Sequence, residues 1–216
     1  MYKLFLKRFF DIVLSAITLV VIAIPMAVIA VAIRIDLGSP VIFRQQRIGK
    51  NEKPFMLLKF RSMRTAFDKY GVPLPDEQRL TLLGKSIRKL SLDELPSLIN
   101  ILKGDMSIVG PRPLPTNYLP WFKDDERIRH QVRGGLTGLA QVNGRNTSKW
   151  EERFKYDAEY VRNISFMNDL KIVLKTIKVV FEHKDIGARG VDAPPDFHVY
   201  RSGLSEQELV MREKGL

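Results

Sequence analysis

The chain has 216 residues, which is long enough for one domain with a stable hydrophobic core. It contains no cysteine, which excludes a disulfide, a thiolate metal site and a cysteine nucleophile. Its formal net charge of +11 points to an anionic partner such as a nucleic acid, an acidic membrane surface or a phosphorylated substrate. The histidines, His130, His183 and His198, are too far apart in sequence to have the spacing of a zinc site.

The first predicted element is an apolar segment from Ile12 to Ile33 that carries no charged residue. A segment of this length can cross a bilayer, which takes about 20 apolar residues. Basic residues flank it on both sides, however, and positive charge marks the cytoplasmic end of a membrane segment. The flanking residues are Lys3, Lys7 and Arg8 before the segment and Arg34, Arg44, Arg47 and Lys50 after it.

Pro25 lies near the centre of this segment, where it removes one backbone hydrogen bond and predicts a kink. A helix that enters the membrane, bends at Pro25 and returns to the same face would place both basic flanks on the cytoplasmic side. An ordinary proline-containing transmembrane helix is the alternative, because membranes tolerate proline. The residues alone leave both topologies open.

The chain after the apolar segment predicts short elements joined by turns. Residues 41–49 and 54–63 have the pattern of two extended segments, which a short turn joins into a hairpin. Residues 65–81 are polar, contain prolines and predict a loop. Residues 83–90 predict a short basic helix, and the prolines within residues 107–115 exclude a continuous helix there.

Residues 91–113 place two acidic residues, Asp93 and Glu94, side by side in a basic chain. Ser91 and Glu94 have the spacing of a capping box, in which each side chain satisfies a free backbone N–H at the start of a helix. Apolar residues at helical spacing follow, and Gly104 predicts the end of that helix. Spacing alone therefore favours a cap, and a chemical role for the pair depends on what surrounds it.

The last part of the chain predicts helices and one glycine-rich segment. Residues 118–131 predict a helix, and residues 133–145 predict a loop whose backbone N–H groups can approach an anion. Residues 148–164 and 168–184 predict two more helices by their period. The lysine-rich face of the last helix suits either a membrane surface or the solvated side of a core helix. From residue 185 onward the pattern fades into a variable tail.

A set of basic residues lies between the apolar segment and residue 145. Scattered cations usually form a solvated face, but Arg112 is held between Pro111 and Pro113, and Arg145 follows a glycine. An arginine on a stiff backbone loses little entropy when its guanidinium grips a phosphate. The set consists of Lys59, Arg61, Arg64, Arg88, Arg112, Arg133 and Arg145.

Motifs in three parts of the chain resemble one known family. Residues 90–113, LSLDELPSLINILKGDMSIVGPRP, resemble the core signature of the bacterial sugar transferase family, the monotopic phosphoglycosyl transferases. KFRSM at 59–63 and GLTGLAQVNGR at 135–145 are similar to further motifs of that family, in the same order. The resemblance covers essentially residues 1–183. It looks most like the small members with only a catalytic domain, such as the type that transfers N,N′-diacetylbacillosamine 1-phosphate.

The resemblance implies an enzyme that moves a sugar-1-phosphate from a UDP-sugar to a polyprenyl phosphate, such as undecaprenyl phosphate, and releases UMP. This reaction is the first membrane step of glycoconjugate biosynthesis, and the family favours N-acetylated amino sugars. The first acid of the pair forms a covalent phosphosugar intermediate in this family. Asp93 is therefore the expected nucleophile and Glu94 the expected ligand of Mg²⁺. The expected phosphate-binding residues are Lys59, Arg88, Arg112 and Arg145, with Asp157 supporting them.

The resemblance also implies an α+β fold that is mostly helical. It predicts a re-entrant membrane helix at residues 1–36 with its break at Pro25, and a catalytic domain at residues 37–184 with a β-hairpin and amphipathic interfacial helices. A variable tail at residues 185–216 would follow. The domain and both termini would lie on the cytoplasmic side of the bacterial inner membrane. The family often has a serine before the proline, where this chain has Ile24, which cannot bond a carbonyl that the kink frees.

Two rival functions are considered beside this one. A membrane-tethered nucleic-acid binder would suit the charge, but the sequence contains no helix-turn-helix, zinc finger or RNA-binding motif, so no nucleic-acid partner is expected. A catalytically silent scaffold of a glycan assembly complex would also fit the resemblance, although the intact Asp93–Glu94 pair argues against it. Self-association and association with downstream glycosyltransferases are left open.

Overall fold

The computed structural model describes residues 1–68, 71, 74–143, 149–181, 195–204 and 208. These residues form mostly helices, together with small two-stranded sheets, which confirms the expected α+β class and its β-hairpin. The helices are α1 (Lys7–Val21), α2 (Ala23–Leu37), α3 (Asp76–Arg79), α4 (Leu82–Lys89), α5 (Ser97–Lys103), α6 (Leu139–Asn143), α7 (Trp150–Arg162), α8 (Phe166–Phe181) and α9 (Phe197–Ser202). The strands are β1 (Ile42–Ile48), β2 (Pro54–Phe60), β3 (Met106–Val109) and β4 (Gly134–Thr137).

A bend of 64° separates α1 from α2, and it lies at Ile22 rather than at Pro25. Pro25 has no N–H to donate to the Val21 carbonyl, and its ring would clash with that carbonyl in a continuous helix. The first helix therefore ends at Val21, and Pro25 falls in the first turn of α2, where the missing N–H has no intrahelical partner to lose. The predicted break at Pro25 is thus corrected to Ile22, with Pro25 as its cause.

The bent pair α1–α2 presents a large apolar surface. Within the described residues, no single helix has the length and hydrophobicity needed to span a membrane, whereas these two helices taken together do. Many apolar side chains on both helices are exposed, and the rest of the described chain leaves them uncovered. They include Phe9, Ile17, Val20, Ile24 and Val28.

Polar side chains of α1 attach this pair to the rest of the chain. The carboxylate of Asp11, which is 4% exposed, accepts hydrogen bonds from the Ser107 hydroxyl at 2.8 Å and from the Ile108 N–H at 2.9 Å. Arg8 donates to the carbonyls of Ile101 and Leu102 in the last turn of α5, where free carbonyls carry partial negative charge. The bent pair is therefore fixed at one end to the helix that follows the acidic residues.

The hairpin and the short basic helix are confirmed. β1 and β2 pair antiparallel, and the helix expected at residues 83–90 is α4. The Thr81 hydroxyl accepts a hydrogen bond from the Gly84 N–H at 3.0 Å and caps the start of α4. The loop expected at residues 65–81 is interrupted by α3, so that prediction is wrong for Asp76–Arg79.

Within the glycine-rich segment, Gly134–Thr137 form strand β4, which pairs in parallel with β3, and Leu139–Asn143 form α6, so the loop expected at residues 133–145 is wrong for these residues. The Gly135 N–H is used within the fold, because it donates to the Pro111 carbonyl at 2.9 Å. A β-carbon on Gly135 would lie 2.1 Å from the Gly110 nitrogen, and one on Gly138 would lie 2.1 Å from the Gly110 oxygen. These glycines therefore allow two backbone segments to pack closely, while Arg145 lies outside the described residues.

The single helix predicted at residues 118–131 is replaced by two 3₁₀ segments, Thr116–Trp121 and Glu126–Gln131. Pro120 lies inside the first segment and cannot donate a backbone hydrogen bond, which prevents an α-helix from continuing through it. The two helices predicted after residue 148 are confirmed as α7 and α8.

Phe197, which falls in the predicted variable tail, is 0% exposed and lies in an aromatic core. Its ring centroid is 5.2 Å from that of Trp150 and 5.0 Å from those of Phe122 and Phe154. The Trp150 indole N–H donates to the Pro195 carbonyl at 2.9 Å. The tail is thus packed against Phe122 and against Trp150 and Phe154 of α7 through α9, a helix that the sequence did not predict.

Candidate active site

The two adjacent acids lie on a 3₁₀ turn, Leu92–Glu94, shortly before α5. Pro96 has no N–H to donate to the Leu92 carbonyl, which instead accepts from the Leu95 N–H at 3.3 Å. The turn is therefore tighter than an α-helix, and α5 begins only at Ser97. Asp93 precedes the α-helix and does not lie in its first turn.

The predicted capping box does not form. Ser91 has a left-handed backbone with φ of 55°, and its side chain makes no capping hydrogen bond. The Glu94 carboxylate turns toward Lys59 and Arg112 and not back toward Ser91. Gly104, in the left-handed conformation, ends α5 as predicted. The start of the helix thus leaves both acids available for another role.

Glu94 joins two cations from different parts of the chain. Its Oε1 accepts hydrogen bonds from Lys59 Nζ on β2 at 2.6 Å and from Arg112 Nη2 at 2.7 Å. Burial acts to raise the pKa of Glu94, but the charges of Arg112 and Lys59 outweigh it and hold that pKa well below its usual range. Burial also lowers the pKa of Lys59, against the attraction of Glu94. Glu94 is therefore ionised at neutral pH and fixes Lys59 and Arg112 next to each other.

The carboxylate of Asp93 is partly buried and differs from that of Glu94 in its lack of a partner among the described residues. Within the part of the chain that the structure describes, no hydrogen bond or ion pair involves it. Burial raises the pKa of Asp93 and Glu94 raises it further, while Lys59, Arg88 and Arg112 act in the opposite direction. A carboxylate with few hydrogen bonds, held close to cations, is poorly solvated and well placed to react with an incoming electrophile.

The backbone of Arg112 is held by a buried ion pair. Arg129 Nη2 donates to the Arg112 carbonyl at 2.7 Å, and Arg129 Nε donates to Asp157 Oδ2 at 2.9 Å. The side chains of Arg129 and Asp157 are only 3% and 4% exposed. Asp157 is therefore connected to the backbone of Arg112 through Arg129. Arg129 was not predicted from the sequence.

Arg88 lies on α4, and its Nη1 donates to Asp76 Oδ2 at 3.1 Å. Its positive charge lowers the pKa of Asp93, although no ion pair joins the two side chains. The structure thus brings Lys59, Glu94 and Arg112 into direct contact and places Arg88 near enough to act electrostatically.

Arg47 is a further cation of the site, although its sequence position indicates only a charge that flanks the apolar segment. Its Nη1 donates to the Pro113 carbonyl at 3.2 Å, next to Arg112. In the hairpin Arg47 is paired with Phe55, and Phe55 lies on the same face of β2 as Lys59, so the alternation of the strands could have identified it. Arg47, Lys59 and Pro113 line a cleft whose other walls are Leu57, Glu94, Ser97, Met106, Arg112, Gly135 and Leu136.

The acidic pair fits a magnesium ion that arrives with a substrate. Among the described residues no group of three or more His, Asp or Glu side chains could hold a metal by itself. Oε1 of Glu94 is occupied by Lys59 and Arg112, which leaves its Oε2 and the oxygens of Asp93. Mg²⁺ in proteins is commonly bound by one or two carboxylates together with water and substrate phosphates, and this set of oxygens meets that requirement.

Comparison with known proteins identifies the family. The chain matches the family described as bacterial sugar transferase over residues 2–183. It belongs to the bacterial sugar transferase family. This sugar transferase is 48% identical to the uncharacterized sugar transferase EpsL of Bacillus subtilis (strain 168) over 181 residues, which are 84% of this chain and 90% of that protein.

Longer relatives of this sugar transferase carry more specific names. It is 40% identical to the undecaprenyl-phosphate galactose phosphotransferase of Salmonella typhimurium, over 82% of this chain and 40% of that protein. It is also 40% identical to the UDP-glucose:undecaprenyl-phosphate glucose-1-phosphate transferase of Escherichia coli (strain K12), over 83% of this chain and 41% of that protein. The chain thus spans about two fifths of the length of these two relatives. The family match and these relatives confirm the expectation of a phosphoglycosyl transferase.

Proposed function

We propose that this chain transfers a sugar-1-phosphate from a UDP-sugar to a polyprenyl phosphate such as undecaprenyl phosphate, and releases UMP. The observation that carries this proposal is the unpaired carboxylate of Asp93 next to Glu94, Lys59 and Arg112. The names of the longer relatives support the same reaction class. A silent scaffold would have no need for a partly buried, uncommitted acid among cations, because burying such a group costs stability.

The proposed reaction has two displacements at the sugar-linked phosphorus. An oxygen of Asp93 attacks that phosphorus, the bond to the bridging oxygen breaks, and UMP leaves with the bonding electrons. A phosphate oxygen of the polyprenyl phosphate then attacks the same phosphorus and releases the Asp93 carboxylate. Division into two steps lets a water-soluble donor and a lipid acceptor use one site in turn. No proton has to be supplied by the protein in either step when both phosphate groups are ionised.

The cations of the cleft serve to reduce repulsion between the attacking carboxylate and the diphosphate. Lys59 and Arg112 are already fixed by Glu94, so they lose little conformational freedom when a phosphate binds. Arg88 adds positive charge near Asp93. We include Mg²⁺ in the proposal, with Glu94 as its protein ligand, where it would neutralise charge on the donor diphosphate and on the departing UMP.

The apolar surface of α1–α2 supports a membrane location for this chemistry. Its exposed side chains would enter the cytoplasmic leaflet of the inner membrane, and the 64° bend would return the chain to the same face. The exposed face of α8 combines Phe166, Leu170 and Leu174 with lysines, which suits a helix lying in the interface. An acceptor with a lipid tail would then reach the cleft without leaving the bilayer.

The test of the proposed function is UMP release from a panel of UDP-sugars with undecaprenyl phosphate and Mg²⁺. The panel includes N-acetylated amino sugars, which the family resemblance favours, and glucose and galactose, which the names of relatives carry. We expect at least one donor to yield UMP and a lipid-linked sugar diphosphate in equal amounts. Absence of UMP with every donor would favour the scaffold function instead.

Single cysteines test the re-entrant topology, because the chain has no cysteine of its own. Lys3→Cys and Glu208→Cys, at exposed positions near the two ends, should both react with a membrane-impermeant maleimide only from the cytoplasmic side. Ile24→Cys, next to the bend and 78% exposed in the protein, should be protected by lipid from both sides. Reaction of Lys3→Cys and Glu208→Cys from opposite sides would mean that the helix pair spans the membrane.

A further inference from the structure

Among the described residues, no strand pairs with the outer edge of β2, and side chains of α5 take the place of one. β1 and β2 form a two-stranded sheet, so one edge of β2 is left without a ladder. On that edge the Leu58 N–H donates to Asn100 Oδ1 at 3.0 Å, and Asn100 Nδ2 donates to the Met56 carbonyl at 2.8 Å. The Ser97 hydroxyl donates to the Leu58 carbonyl at 2.7 Å. These bonds satisfy the backbone groups of β2 as a neighbouring strand would.

The amide of Asn100 can face only one way in this arrangement. The Met56 carbonyl and the Asp105 carboxylate only accept hydrogen bonds, and Asn100 Nδ2 donates to both, the second at 3.1 Å. The Leu58 N–H only donates, so it requires the amide oxygen. Asn100 and Ser97 are each 1% exposed, so water cannot replace these bonds. A polar group that loses its partner at such depth stays unsatisfied.

The hydrogen bonds between α5 and β2 lie between Lys59, which is on β2, and the acidic pair, which precedes α5. Leu58 directly precedes Lys59 on β2, and Ser97 follows Glu94 by three residues at the start of α5. The 2.6 Å contact between Lys59 Nζ and Glu94 Oε1 depends on the position of β2 relative to α5. Among the described residues, Ser97 and Asn100 make all the side-chain hydrogen bonds that join α5 to β2.

We infer that Asn100, assisted by Ser97, is a positioning residue for the transfer reaction. Its amide fixes α5 against the edge of β2, and through that contact it sets the position of Lys59 relative to the acidic pair. The inference rests on the proposed function and adds to it a residue that touches neither substrate nor reacting atoms. A shift of about 1 Å in catalytic groups can lower a rate by on the order of 100-fold, so a remote contact of this kind is sufficient to control the reaction.

The test is a double-mutant cycle on UMP release with Asn100→Asp and Lys59→Met. Asn100→Asp keeps the shape but replaces the donor to Met56 with an acceptor and adds charge beside Asp105. Alone it should lower kcat by on the order of 10- to 100-fold, with KM for the UDP-sugar close to the parent value. In the Lys59→Met background it should cost little more, because the contact that it positions has already been removed.

A matched control is Thr176→Val, which removes the hydroxyl contact with Thr137 at 2.7 Å, away from β2. It should lower the unfolding midpoint without lowering kcat. If Asn100→Asp does not fold, Ser97→Ala provides a milder loss at the same edge for the same cycle. If the parent is active and the effects of the two substitutions multiply independently, the positioning role is overturned. If the parent itself releases no UMP, the proposed function is overturned and the positioning role with it.

Discussion

Asp93→Asn is expected to lower UMP release by at least about 10³-fold, because removal of a nucleophile leaves only the binding contributions of a site. The substitution keeps the size of the side chain and removes its charge, and no hydrogen bond within the described chain depends on that charge. Since burial raises the pKa of Asp93, replacement by a neutral amide should not lower stability. The measurement is initial-rate UMP release together with the unfolding midpoint.

Asp124→Asn is the control for this prediction, because it makes the same chemical change at an exposed position. It should retain the activity of the parent protein. If Asp93→Asn releases UMP at a rate within a few-fold of the parent, Asp93 is not the nucleophile, whatever the result for other residues. A slow rise of activity during storage would indicate deamidation of the new asparagine and is checked by mass spectrometry.

Arg129→Met is expected to lower the free energy of unfolding by about 3–5 kcal/mol, because it leaves a buried carboxylate without its partner. The Arg129–Asp157 pair is almost fully buried, and burial already raises the pKa of Asp157 despite the nearby guanidinium. The substitution also removes the donor to the Arg112 carbonyl, so UMP release should fall as well. Denaturant unfolding of the purified protein in detergent measures the first effect.

Arg127→Met is the matched control, because the Arg127–Glu52 pair is about one third exposed on each side. Pairs of this kind contribute about 0–1 kcal/mol. Combining Arg129→Met with Asp157→Leu should recover part of the lost stability, since no unpaired charge then remains in the core. Equal losses for Arg127→Met and Arg129→Met would contradict the role assigned to the buried pair.

Local sequence pattern was sufficient for the elements whose residues contact one another along the chain. The hairpin, α4, α7 and α8 follow from alternation or helical period, and Gly104 ends α5 by its own backbone preference. The sequence predicts the bend at Pro25, whereas it lies at Ile22. A proline disrupts the hydrogen bond to the carbonyl four residues before it, so the expected position of the bend lies before the proline. The acidic pair stood out by its chemistry, but spacing alone assigned it to a cap that does not form.

Contacts between distant residues account for the features that the sequence did not predict. Gly135 in β4 and Gly138 directly after it both pack against Gly110, but the sequence pattern of these glycines is equally typical of a loop, so only the fold distinguishes the two structures. In the sequence nothing distinguishes Arg129 from the other arginines, and only the fold buries it against Asp157 and the Arg112 carbonyl. Phe197 lies far along the chain from Tyr118 and Phe122, yet the three rings share one core.

The most direct measurement is the intact mass of the enzyme after exposure to a UDP-sugar and Mg²⁺ with no lipid acceptor, quenched in acid and mapped by peptide fragmentation. We expect a covalent sugar-phosphate on the peptide that contains Asp93, and its disappearance when undecaprenyl phosphate is added before the quench. UMP formation that requires the lipid acceptor, with unmodified Asp93 at every time point, would contradict the account.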